Sequence, residues 1–107
     1  MVRELMNFPS DWDEITCISH LQRKILYYSI LYYEFDISLI DDHEYDRLAH
    51  GLAKAMREFD DDNLTKYYYV FYDYDGSTGY YLVDRLTEED KEIIMSLVMY
   101  AVRKTNR

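Results

Sequence analysis

Lys66-Tyr67-Tyr68-Tyr69-Val70-Phe71-Tyr72-Asp73-Tyr74-Asp75-Gly76-Ser77-Thr78-Gly79-Tyr80-Tyr81-Leu82-Val83-Asp84 is the stretch on which the fold class turns. Residues 66–74 are aromatic and β-branched, 75–79 carry turn chemistry, and 80–84 are β-prone again. That composition predicts a two-stranded antiparallel β-hairpin. A lone hairpin is marginal in water, so one of its faces must pack on helices.

On the N-terminal side the pattern is helical. Trp12, Ile15, Ile18, Leu21 or Gln22, Ile25, Tyr28, Tyr32 and Phe35 recur at three- and four-residue steps, the period of one buried helical face. Ser10, three residues ahead of Asp13, has the form of a capping box and starts this helix at about Asp11. The pattern runs to about Asp36, with room for one break near Ser19. Asp41 is placed to cap a second helix, whose first turn holds Asp42 and Glu44 against the positive end of the helix dipole. Tyr45, Leu48, Leu52, Met56 and Phe59 form its apolar stripe. Gly51 costs that helix roughly 1 kcal/mol relative to alanine and points to a close helix crossing. Beyond the hairpin, Thr87 and Asp90 form another capping box, followed by Ile93, Ile94, Leu97, Val98 and Ala101. The expected fold class is α+β: a helical hairpin, a two-stranded antiparallel β-hairpin and a C-terminal helix, in the order ααββα, as one domain over 1–107.

Charge narrows the function classes. Twelve Lys and Arg against 21 Asp and Glu leave a net charge of −9, which repels phosphate backbones and speaks against direct nucleic-acid binding. The same charge attracts a protein partner with a basic surface, such as a nucleic-acid-binding enzyme. The longest apolar stretch, around residues 25–33, contains Ser29 and four tyrosines, too short and too polar to span a bilayer, so no membrane is expected. Met1-Val2-Arg3-Glu4-Leu5 lacks the features of a secretory signal, and the single Cys17 cannot form an internal disulfide. Both point to the cytoplasm, the host cytosol if the chain is phage-encoded.

Tyr32-Tyr33-Glu34-Phe35-Asp36, followed by Ile40-Asp41-Asp42-His43-Glu44-Tyr45-Asp46-Arg47-Leu48, resembles the small N-terminal helical domain of bacterial NAD-dependent DNA ligases, over residues 21–52. In that family a Tyr-His or Tyr-Tyr pair, an Asp entering the second helix and a Tyr-Asp pair one turn later contact the nicotinamide mononucleotide half of NAD. The resemblance implies that Tyr32, Tyr33, Asp42, Tyr45 and Asp46 bind that nucleotide. The chemistry suits it: tyrosine rings offer flat faces, and carboxylates accept from ribose hydroxyls and can sit beside a cationic ring. Ligation itself is not expected. The family's nucleophile lies in a Lys-x-Asp-Gly motif, and the nearest match here, Asp73-Tyr74-Asp75-Gly76, has Asp in place of the lysine. Ser38 also stands where the family carries a proline.

Two further constellations bear on metals. His43, Asp46 and His50 fall at three- and four-residue steps, a spacing that can turn all three toward a divalent ion such as zinc. Asp73-Tyr74-Asp75-Gly76 does not make a calcium loop. Placing Gly76 at the sixth position of such a loop puts Phe71 first and Leu82 twelfth, where carboxylates are required. There is no glycine-rich phosphate loop, nucleophile elbow or two-histidine zinc-protease motif, so neither catalysis nor a cofactor is expected.

The chain holds 13 tyrosines, more than one core of this size needs, and those of residues 66–81 cannot all point to one face of a hairpin. Exposed tyrosine interleaved with aspartate is typical of recognition surfaces. In composition the chain resembles small acidic phage-encoded inhibitors of the anti-CRISPR and anti-restriction type. One expectation is therefore a non-catalytic DNA mimic that occupies the basic groove of a defence nuclease such as a CRISPR effector. Its contacts would come from Glu58, Asp60, Asp61, Asp62, Tyr72, Asp73, Tyr74, Asp75 and Tyr80. The alternative is a stand-alone NAD or nicotinamide mononucleotide-binding domain that uses the five ligase-like residues.

Overall fold

A computed structural model describes residues 2–105. The carboxylates of Asp13 and Asp41 open its first two α-helices, α1 (Glu14–Phe35) and α2 (Asp42–Glu58). Each accepts a backbone N–H three residues on: Asp13 from Thr16 at 2.8 Å, and Asp41 from Glu44 at 2.7 Å. Thus α1 starts three residues later than the Ser10 reading, because Pro9 to Trp12 close a separate turn through a 3.2 Å bond from the Trp12 N–H to the Pro9 carbonyl. The helix passes Ser19 without a break. It ends where Asp36 adopts a left-handed conformation (φ 55°, ψ 38°) and the N–H groups of Asp36 and Ile37 both return to the Leu31 carbonyl.

Two helices remain: a single turn, α3 (Tyr68–Phe71), and the C-terminal α4 (Glu88–Thr105). Short 3₁₀ turns cover Val2–Glu4, Asp62–Leu64 and Tyr80–Arg85. Among the described residues there is no strand, so the expected α+β class and its β-hairpin give way to an all-helical fold. The physical reason is visible in the burial pattern. Tyr67, Val70, Phe71 and Tyr74 are the buried residues of the supposed first strand, at i, i+3, i+4 and i+7, a helical period that overrides the strand propensity of each residue. Arg85 does what cross-strand pairing would have done. Its guanidinium donates to the Val70 carbonyl at 2.9 Å and to both Asp73 carboxylate oxygens at 2.7 and 3.2 Å, tying the Tyr80–Arg85 turn to the α3 segment.

The core forms around α1, which packs against α2, α4, the N-terminal turn and the Tyr80–Arg85 turn. Ile18, Leu21, Ile25, Leu26, Ile30 and Leu31 are fully buried, each stabilising the fold by roughly 1.5–3 kcal/mol on burial. Two sequence readings change here. α4 buries Ile94, Val98, Ala101 and Val102, leaving Ile93 and Leu97 exposed beside Tyr100. At Gly51 the close neighbour is the Leu5 side chain of the N-terminal segment, which leaves no room for a Cβ, and not a crossing helix. The capping box at Thr87 is also modified. Thr87 Oγ1 accepts the Asp90 N–H at 3.2 Å, but the Tyr69 hydroxyl sits between the partners, donating to Asp90 and accepting the Thr87 N–H. No helix among the described residues is long and apolar enough to cross a membrane.

One buried polar group holds the irregular middle of the chain to α1. Gln22 donates through Nε2 to Thr65 Oγ1 at 3.0 Å and accepts the Tyr67 backbone N–H at 3.1 Å. Replacing it leaves that N–H without a partner in a dry site and opens a void. Gln22→Ala is expected to lower stability by roughly 2–4 kcal/mol in urea denaturation. A loss below about 0.5 kcal/mol would show that the clamp is dispensable.

Candidate functional site

Tyr28, Ser29, Tyr32 and Tyr33 share one face of the last turns of α1, and Asp42, Tyr45, Asp46 and His50 share one face of α2. Because α1 stops at Asp36 and α2 starts at Asp41, the connecting residues Ile37 to Ile40 cross the base between these faces. Gly76, Ser77 and Thr78 close a third side. Together they line an open cleft of about 380 Å³, within the size range that accepts small ligands.

The third wall is a loop with its own fixings. Asp75 accepts the Ser77 N–H at 3.0 Å, and the Tyr74 hydroxyl donates to the Ser77 carbonyl at 2.8 Å. Gly76 is in a left-handed conformation (φ 91°), and a Cβ there would fall 2.8 Å from the His50 ring. At Gly79 a Cβ would fall 2.7 Å from the Ile25 methyl, so the backbone presses directly on α1.

The proton directions at the centre of this packing can be worked out. Ser29 has one hydroxyl proton and gives it to the Ile25 carbonyl at 2.7 Å. Its contact with the Tyr45 hydroxyl, 3.1 Å, must therefore be one in which Tyr45 donates and Ser29 accepts. The Tyr45 oxygen is left to accept the Gly79 N–H, also at 3.1 Å. A single directed chain, from Gly79 through Tyr45 and Ser29 to Ile25, joins the loop, α2 and α1. Tyr74 lies beside it, and burial together with the neighbouring Tyr45 hydroxyl pushes its phenol far above the ordinary tyrosine range.

At the mouth the rings are available. Tyr32 and Tyr33 are 48% and 53% exposed, edge to face with centroids 5.0 Å apart. Tyr33 also stacks on Tyr80 at 4.8 Å and accepts from the Thr78 hydroxyl at 3.3 Å, so its plane is held while about half of the residue stays exposed. No lysine or arginine lines the cleft, whereas Asp42 and Asp46 do. The walls thus favour a cationic or hydroxyl-rich aromatic ligand and reject dense negative charge.

All five ligase-like residues, Tyr32, Tyr33, Asp42, Tyr45 and Asp46, line this one cleft. The histidine set behaves differently. Asp46 and His50 line it and His43 does not; among the described residues no group of three or more His, Cys, Asp and Glu is gathered closely enough to hold a metal ion. Residues 43 and 50 are seven positions apart, about 10 Å along the helix axis, and only His50 faces the cleft, so the two rings are not gathered on one point.

The acidic and aromatic set divides. Glu58, Asp60, Asp61 and the half-buried Asp62 lie at the far end of α2 from the cleft. Tyr72 is exposed beneath the Arg85 guanidinium, which holds the Asp73 carboxyl below the usual carboxylate range. Hydrogen bonds from Ser77 do the same for Asp75. Tyr74 is only 7% exposed with its hydroxyl engaged, so it cannot contact a partner, and Tyr80 belongs to the cleft mouth. Sequence reasoning missed the wall made by residues 76–78. The glycine at 76, needed for its positive φ, was the signal for a tight loop but not for what the loop touches. No family model, curated protein or solved structure matches the chain.

Tyr45→Phe removes the relay's middle hydroxyl while keeping the ring. It is expected to cost roughly 1–2 kcal/mol and to speed hydrogen exchange at the Gly79 amide. Unchanged protection at Gly79 would refute the relay.

Proposed function

We propose that the chain is a non-catalytic binding domain whose cleft takes the nicotinamide mononucleotide portion of NAD. The observation that carries this reading is the convergence of Tyr32, Tyr33, Asp42, Tyr45 and Asp46 on one cleft, with no basic residue among its walls. The nicotinamide ring of the oxidised form is a flat cation, suited to the exposed tyrosine rings at the mouth and to the field of Asp42 and Asp46. The ribose hydroxyls are donors that a carboxylate accepts. The phosphate, finding no Lys or Arg in the walls, extends through the mouth into solvent. No catalysis is proposed, since Asp73 occupies the position that a ligase-like lysine would need. The buried, unpaired Cys17 suits a reducing cytoplasm.

A second reading, a protein partner, rests on a different surface. Ile93, Leu97 and Tyr100 form an exposed stripe along α4, and Tyr72 and Tyr81 are exposed beside Arg85. Such patches favour association, and the net charge of −9 favours a basic partner, including the nucleic-acid-binding groove of a nuclease. A pull-down across a salt series tests it. Binding undiminished at high salt would exclude a charge-driven interface.

Calorimetric titration with nicotinamide mononucleotide and NAD tests the cleft. Binding is expected, with a loss of at least tenfold, about 1.4 kcal/mol, in Tyr33→Ala and in Asp46→Asn, both exposed positions whose change leaves the helical circular dichroism intact. NADH, whose nicotinamide is uncharged, should bind more weakly than NAD. No heat with millimolar nicotinamide mononucleotide or NAD would exclude the reading.

A further inference from the structure

At the other end of α1 a smaller notch of about 220 Å³ opens between the helix and the segment that Gln22 clamps. Its chemistry is opposite to that of the cleft. Arg23 and Lys66 line it, on a chain that is otherwise strongly acidic. Arg23 makes no ion pair among the described residues, and Lys66 keeps only a loose one, 3.6 Å to Asp90.

Two polar atoms of the lining are buried with no hydrogen-bond partner, the Tyr67 hydroxyl and His20 Nδ1. Tyr67 is 1% exposed, so its ring is held by packing, and its backbone N–H is bonded to Gln22. A buried hydroxyl without a partner is destabilising in itself, and such groups in native proteins call for a bound water or ligand. Burial pushes the Tyr67 phenol up, so it keeps its proton and is a donor. The rest of the notch is built and not merely open. The Lys66 backbone N–H is bonded to Ser19 Oγ at 2.9 Å, and Trp12 packs on the His20 ring with centroids 5.5 Å apart.

We propose that this notch is a binding site for a phosphate-type oxyanion, held by the Arg23 and Lys66 cations and by the Tyr67 hydroxyl. A tetrahedral oxyanion presents several acceptor oxygens at once, and a guanidinium fork, an ammonium and a phenolic O–H are the donors that match it. Water alone would satisfy the Tyr67 hydroxyl; an oxyanion would in addition pair with the half-buried Arg23 guanidinium. The site is independent of the nicotinamide reading, because the two pockets share no residue.

The single tryptophan lies in the notch, so intrinsic fluorescence reports on it directly. Inorganic phosphate is titrated into the full chain at constant ionic strength, with sodium chloride as the control. A saturable change in Trp12 emission is expected with phosphate and not with chloride. Arg23→Gln should weaken it at least tenfold, and Tyr67→Phe severalfold. Tyr67→Phe also separates a binding role from a structural one. Deleting an unpartnered buried hydroxyl should leave the melting temperature of the phosphate-free protein equal or higher while affinity falls. Methyl phosphate in place of phosphate distinguishes the sources: equal binding points to the phosphoryl group of a larger ligand, weaker binding to free phosphate. A response that does not saturate, that chloride reproduces, or that survives both substitutions overturns the proposal.

Discussion

The geometry of the cleft depends on one hydrogen-bonded chain, Gly79 N–H to Tyr45, Tyr45 to Ser29, and Ser29 to the Ile25 carbonyl. Each hydroxyl in it is both donor and acceptor, so the members polarise one another, and the direction of every proton is set by the first commitment of Ser29 to Ile25. The three segments it joins are those that bound the cleft. α1 alone would present tyrosines to water, and α2 alone would present carboxylates; only with the loop pinned to both do they face a common space. The same chain explains why Tyr45 cannot be a freely available ligand donor. Its hydroxyl belongs to the frame, and what it offers a ligand is the side of its ring.

The parts of the fold that were legible in the sequence are those where local signals agreed. Asp41 capped α2 as its position implied, and the spacing from Trp12 to Phe35 marked a long helix, which forms without the break allowed near Ser19. The misreading fell on residues 66–84, where propensity and periodicity disagreed. Seven tyrosines and two valines argue for strands by type, yet Tyr67, Val70, Phe71 and Tyr74 are spaced for a helix. Periodicity won because burial in the core stabilises each of these side chains by more than the span of strand propensity, about 1 kcal/mol. Nothing local could have revealed Arg85 as the tie between the two halves, since its partners, Val70 and Asp73, are set by tertiary packing.

Legibility of the site follows the same division. The five cleft residues lie on the two helices that read correctly, so their shared faces could be inferred from spacing once α2 was known to fold back on α1. The contribution of residues 76–78 could not, because a hairpin turn would have carried them away from the helices. The opposite error befell the acidic set. In a hairpin Tyr74 would have been free to point outward; in the segment that actually forms, it follows the short helical turn, continues the buried face of Tyr67, Val70 and Phe71, and its hydroxyl serves the loop.

Irregular chain can carry binding chemistry only where something rigid fixes it, and here α1 is that rigid element at both ends. Gln22 clamps residues 65–67 near its first half, and Ser29, through Tyr45, clamps Gly79 near its second. The chain between the clamps, from Thr65 to Gly79, has little regular structure of its own, and each clamp lies next to a pocket: the basic notch at Gln22 and the acidic cleft at Ser29. Buried polar residues on an otherwise apolar helix face are costly unless fully bonded, and both of these are bonded. Their cost is offset by position, because an apolar residue at 22 or 29 could bury as much surface but could not hold a loop in register. The two polar interruptions in the apolar face of α1 are therefore the residues that turn a packed bundle into one with sites.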